Sequence, residues 1–180
     1  ENRMRKRLFF LVASIFVIPI AGYCGPFSDP NKLGDLMMTM GAGYALGMTV
    51  QEKDFMGTIQ FAESVLIAQG VTEGLKRIVR EERPNGSDNL SFPSGHAAGA
   101  FSSAMFVHKR YGWNPAIVPY AMAAVTGWSR VQAKAHYWHD VLAGAAVSAI
   151  TTWCVVSNYD SQVNVSADTN GFNISFHKFF

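Results

Sequence analysis

Three polar windows stand against apolar segments: KRIVREERP at residues 76–84, PSGH at 93–96 and SRVQAKAHYWHD at 129–140. Charged and titratable groups at such junctions are expensive to bury unless they are paired or used. Lys76, Arg83 and Arg130 are three fixed cations; the two arginines present planar forks matched to phosphate oxygens, and the lysine adds a point charge. Ser94 and Gly95 are placed to open a helix, where a hydroxyl, unpaired N–H groups and the helix dipole all favour an anion. His136 and Asp140 have i,i+4 spacing, which on a helix puts them on one face, so that the carboxylate orients the imidazole. These residues have the parts for phosphoryl transfer. His136 would attack phosphorus with Asp140 stabilising its imidazolium, and His96 would protonate the departing oxygen and then activate water. Lys76, Arg83, Ser94, Gly95 and Arg130 would hold the phosphate. With three cations doing the neutralisation, no metal and no other cofactor is expected.

Positioning these windows requires helices. Apolar stretches run over 8–23, 35–50, 55–79, 96–107, 116–128 and 141–156, separated by polar or Gly/Pro-bearing connectors. They predict an all-α chain: a six-helix transmembrane bundle over residues 1–157, followed by a short polar tail over 158–180. The 180 residues suit one domain, and charged residues make up 16%, below the roughly 25% usual for soluble domains. Mean hydropathy is only +0.09, which the many Gly, Ala and Ser residues in GAGYALG, HAAGAFSSA and LAGAAVSA explain; such residues suit close helix packing in a bilayer. A soluble helical domain behind one anchor is the alternative. The basic cluster Arg3, Arg5, Lys6 and Arg7 ahead of the first stretch places that end in the cytoplasm, and alternation then sends connectors 24–34, 80–95 and 129–140 outward. All three polar windows adjoin outward connectors. A net charge of +2, with no basic run interleaved with aromatics, excludes a nucleic-acid partner.

Taken in order, the windows resemble the three signatures of the type 2 phosphatidic acid phosphatase superfamily, which includes lipid phosphate phosphatases, bacterial class A acid phosphatases and vanadate haloperoxidases. The matching residues are Lys76, Arg83 and Pro84; Pro93, Ser94, Gly95 and His96; and Ser129, Arg130, His136 and Asp140. The resemblance covers 76–140 by motif and about 8–156 by helix layout. It implies the roles assigned above and an integral membrane lipid phosphatase, multi-pass in a bacterial inner membrane with its site facing the periplasm. Its partners would be the bilayer and a membrane lipid phosphate, with no obligatory protein partner. Candidate substrates are phosphatidylglycerophosphate, undecaprenyl pyrophosphate, phosphatidic acid and lipid A phosphate. A periplasmic acid phosphatase on soluble esters, a lipid phosphotransferase, a vanadate haloperoxidase and a lipid-binding relative without turnover are the other readings.

Several residues read as bystanders. His139 adjoins the site but is off the signature, so packing is its expected role, while His108 is expected to be solvated. Cys24 and Cys154 are expected to pack as small apolar residues. Arg77 and Arg80 are expected to pair with Glu81, Glu82 or anionic lipid. The tail alternates around Phe172, Ile174 and Phe176 after a TNG turn signal, which fits a strand, a hairpin arm or an irregular end.

Overall fold

Five helices position the site in this computed structural model, which describes residues 29–159 and the strand segments 163–168 and 171–176. They are α1 (Pro30–Gln51), α2 (Phe55–Val79), α3 (Gly95–Tyr111), α4 (Trp113–Gln132) and α5 (Trp138–Val155). Local chemistry sets most of their ends. Asp29 caps α1 by accepting from Asn31 N at 2.9 Å, with Pro30 where its missing N–H is harmless. Asp54 caps α2 through Gly57 N at 2.8 Å, and Ser94 caps α3 through Ala97 N at 3.4 Å. α2 stops where Arg80 turns left-handed at φ 52°, and Lys134 makes the same turn at φ 53° just beyond α4. Four of the five helices run past the apolar stretches that predicted them, because flanking polar residues complete helical turns instead of forming connectors. The sixth candidate, residues 8–23, lies outside the described residues, as does Cys24.

α3 is the central element and packs against all four other helices. Its inward residues are small: Ala97, Ala98, Gly99, Ala100, Ser102, Ser103 and Ala104 are all buried. At Gly144 of α5 a Cβ would stand 2.5 Å from Ser94 O, so only glycine lets α5 lie this close to the start of α3. Ser148 Oγ, one turn further on, donates to Ala98 O at 2.5 Å. Most large side chains of α2 point the other way. It buries Gly57, Phe61, Ser64, Ala68, Thr72 and Lys76 while exposing Phe55, Met56, Leu66, Ile67, Val71 and Ile78. Among the described residues no helix is long and apolar enough to cross a membrane, since small and polar residues occupy the inward faces.

The tail corrects a strictly all-α reading. Its backbone forms an antiparallel hairpin of β1 (Val163–Asp168) and β2 (Gly171–Phe176), pairing Val163 with Phe176 and Asp168 with Gly171. Cys154 is exposed, not packed. His108 is not simply solvated: its Nδ1 lies 3.1 Å from Tyr120 Oη, and its ring meets Trp113, Tyr120 and Trp153. Arg80 Nε donates to Arg77 O at 3.1 Å, and Glu81 pairs with His139 instead of with either arginine.

The end of the bundle remote from the three windows is closed by a buried ion pair. Asp54, between α1 and α2, accepts from Arg110 Nε and from Arg110 Nη2 at 2.6 Å, and Tyr111 Oη adds a bond at 2.8 Å. Arg110 Nη1 reaches Gln60 Oε1 at 3.0 Å and Ser157 O at 2.9 Å, tying the segment after α5 to the same knot. Burial alone would raise the pKa of Asp54, but the bonds from Arg110, Gly57 and Tyr111 prevail and lower it. Removing one partner strands the other charge away from water. Asp54→Ala is therefore expected to lower the unfolding free energy by about 3–5 kcal/mol. Denaturant titration in detergent measures this, and a loss under about 1 kcal/mol would mean that the knot is not what holds this end.

Candidate active site

All three polar windows meet where α2 and α4 finish and where α1, α3 and α5 begin. The histidine–aspartate pair is assembled differently from the expectation. His136 is not on a helix, because α5 starts only at Trp138. The left-handed turn at Lys134 folds the chain back so that Ala135 N and His136 N donate to Arg130 O at 3.0 and 3.3 Å. Asp140 sits in the first turn of α5, where the helix dipole favours its charge. His136 Nδ1 stands 3.5 Å from Asp140 Oδ2. That carboxylate is fully buried and fixed, since Oδ2 accepts from Ser91 Oγ at 2.5 Å and from Tyr137 N at 2.9 Å.

The other face of the imidazole meets Arg83, whose Nη1 is 3.3 Å from His136 Nε2. A guanidinium only donates, so Nε2 is the acceptor and the ring proton sits on Nδ1, facing Asp140. Burial, then the charges of Arg83 and Lys76, push the His136 pKa down to about 4 against the opposing pull of Asp140. At neutral pH the ring is uncharged, with its Nε2 lone pair on the cation side. If His136 must be neutral to react, the acid limb of kcat/KM falls near pH 4 and not near the ordinary histidine value of about 6.5. Removing the Arg83 charge relieves the repulsion that disfavours imidazolium, so Arg83→Gln is expected to move this limb upward. A pH profile of both proteins checks it, and substrate ionisation, common to both, cancels in the difference.

The cations are held around this ring. Lys76 is buried and its Nζ donates to Leu90 O at 2.9 Å, an oxygen that Arg83 Nη2 approaches at 3.4 Å. Arg83 Nε is anchored on Asp88 Oδ1 at 2.7 Å, and Nη1 also donates to Ala135 O at 3.2 Å. Arg130 reaches across to α1, where Nη2 donates to Asn31 O and to Asp35 Oδ1, the latter at 2.8 Å. His96 Nε2 lies 3.2 Å from the same Asp35 oxygen. Ser94 N donates to Asp140 O at 3.0 Å and its Oγ caps α3, so Ser94 fastens α3 to α5. Gly95 and His96 are then the first-turn residues whose N–H groups precede the ladder of α3. Four buried side-chain polar atoms lack a hydrogen bond among the described residues, and three are here: Arg130 Nε, His136 Nδ1, which faces Asp140 Oδ2 at 3.5 Å, and Asp140 Oδ1, which lies 3.2 Å from His139 Nε2.

Sequence reasoning missed three contributors. Ser91, two positions before PSGH, fixes Asp140; Asn31 and Asp35 bring α1 into the site. Gly34 was the available signal for α1, because a Cβ there would stand 2.1 Å from Ser129 Oγ and 2.5 Å from Arg130 Nη2. His139, read as a bystander, is exposed, stacks on Tyr137 and pairs with Glu81 at 2.8 Å. Glu81, His139 and Asp140 place ligand-type atoms within 4.8 Å of one another, but His139 Nε2 already faces Glu81 Oε1.

The helical bundle thus gathers at one end three cations, a buried neutral imidazole backed by a carboxylate, and a second histidine, groups with the chemistry to hold a phosphate-type anion. The chain belongs to the PAP2 superfamily, whose family model matches residues 57–163. It is 36% identical over 118 residues to the lipid A 4'-phosphatase of Helicobacter pylori, covering 59% of this chain and 60% of that protein. Against the lipid A 1-phosphatase of Porphyromonas gingivalis it is 42% identical over 72 residues, covering 38% of this chain and 16% of that protein. The chain thus spans less than two thirds of either relative. The crystal structure of Aquifex aeolicus LpxE shares the fold, with a TM-score of 0.58 at 20% identity over 83% of this chain and 92% of that one.

Proposed function

We propose that this protein is a PAP2-type lipid phosphatase that removes phosphate from a membrane lipid, without a metal, through a phosphohistidine on His136. The observation that carries this reading is the His136 ring: Nε2 faces the cations at 3.3 Å from Arg83, while the proton-bearing Nδ1 faces the buried Asp140. In the first step Nε2 attacks phosphorus, the bond to the lipid oxygen breaks, and His96 gives that oxygen a proton. In the second, His96 takes a proton from water, the hydroxyl oxygen attacks phosphorus, and the P–N bond breaks to release phosphate and neutral His136. Lys76, Arg83 and Arg130 neutralise the phosphoryl oxygens, with the first turn of α3 at Gly95 and the Ser94 hydroxyl assisting.

A lipid substrate is supported by the inverted helix faces, small and polar inside with Phe55, Leu66, Ile67 and Ile78 outside, which suit an apolar surrounding. Similarity to two lipid A phosphatases makes lipid A phosphate the first substrate to test. A periplasmic site in the inner membrane is supported by the basic cluster at 3–7, which the positive-inside rule puts in the cytoplasm, together with the gathering of the site residues at the end where α1 begins. The test is phosphate release by detergent-solubilised protein from lipid A, phosphatidylglycerophosphate, undecaprenyl pyrophosphate, phosphatidic acid and soluble phosphoesters, with EDTA present. Turnover of a lipid in chelator is expected. Reaction with soluble esters alone would overturn the lipid reading, and loss of all turnover in EDTA would overturn the metal-free one.

A further inference from the structure

Asp35 stands on α1, outside the matched span of 57–163, yet one of its oxygens touches two groups that the mechanism turns toward the phosphate. Oδ1 is 2.8 Å from Arg130 Nη2 and 3.2 Å from His96 Nε2. Each histidine of the site therefore has a carboxylate, and the two carboxylates differ physically. Asp140 is fully buried and fixed by Ser91 and Tyr137. Asp35 has a side chain 55% exposed, and among the described residues Arg130 and His96 are its side-chain partners. A carboxylate held at the solvent edge by the phosphate-binding groups themselves can rotate into water when something better arrives.

Resting on the phosphoryl-transfer reading above, we propose that Asp35 is a displaceable stand-in for a phosphate oxygen, occupying Arg130 and His96 until an anion expels it. Expulsion costs the same for every ligand, so it raises the concentration each needs by one common factor. Lys76, Arg83 and Arg130 are balanced by Asp35, Asp88 and Asp140. A phosphodiester headgroup, with one negative charge, merely replaces the charge it displaces; a phosphomonoester dianion brings two and gains. In a membrane crowded with phosphodiester lipids, that common penalty keeps the abundant monoanions out while the scarcer monoester still binds.

Calorimetric titration of the full chain in neutral detergent tests this, with inorganic phosphate as the monoester probe and dimethyl phosphate as the diester probe. The wild type is expected to bind phosphate and hardly to bind dimethyl phosphate. Asp35→Asn and Asp35→Ala are expected to bind both more tightly, by about three- to tenfold, whereas Asp35→Glu, which keeps the charge, stays near wild type. If the wild type binds phosphate but the two neutral variants bind it equally or less well, Asp35 positions Arg130 or His96 and the stand-in is overturned. If the wild type binds no phosphate, the phosphate-site reading itself fails and takes this proposal with it.

Discussion

His136→Ala is expected to lower kcat by at least about 10,000-fold while leaving the protein folded. The size of the effect follows from the proposed role of His136 as nucleophile, since among the described residues no other neutral base stands at the position of Nε2 beside Arg83. The fold should survive because the ring accepts one hydrogen bond, from Arg83 Nη1, and that guanidinium stays held by Asp88 and Ala135 O when the ring is removed. Rapid quenching of a reaction with phosphorus-labelled substrate should leave acid-labile, alkali-stable label on the wild type and none on the variant. If the variant kept activity within tenfold of wild type, the nucleophile would be elsewhere and the geometry around Arg83 would need another explanation.

Asp140→Asn is expected to lower kcat by roughly 100- to 10,000-fold, the range known when an amide replaces the orienting carboxylate of a histidine. The physical reason is charge. Asp140 Oδ2 faces His136 Nδ1, and its negative charge stabilises the imidazolium that forms as Nε2 attacks. Ser91 Oγ and Tyr137 N donate to that same oxygen, so the amide keeps its carbonyl there and its NH₂ at the Oδ1 position beside His139; the acceptor survives and the charge is lost. The variant should therefore form the labelled intermediate far more slowly even at saturating substrate. A purely structural role at the start of α5 would instead appear as a lowered melting temperature with kcat nearly intact.

The residues gathered at the candidate site were legible in the sequence because they are marked by residue types in short windows. Lys76 and Arg83, Ser94 through His96, and Arg130 through Asp140 bracket helix ends, and an apolar chain bends its polar ends toward one another when its helices alternate in direction. What the same windows could not show was local geometry. The four-residue spacing of His136 and Asp140 suggested one helical face, but the left-handed residue Lys134 ends the helix first, and a turn makes the pairing instead. Helix ends were underestimated for a related reason: caps and final turns are polar, so hydropathy stops before the hydrogen-bond ladder does.

By itself, the sequence determined five helices of the bundle, the three cations, both histidines and the Asp140 carboxylate, since each is announced by composition, periodicity or motif. Only the tertiary structure decided which ordinary residues join them. Ser91 becomes the anchor of Asp140 because the segment before α3 lies against the start of α5. Asn31 and Asp35 meet Arg130 because Gly34 lets the α1 backbone approach Ser129 and the guanidinium more closely than any Cβ would allow. Contacts of this kind link positions 49 to 99 residues apart and arise from packing distance, a quantity that no local run of side chains encodes.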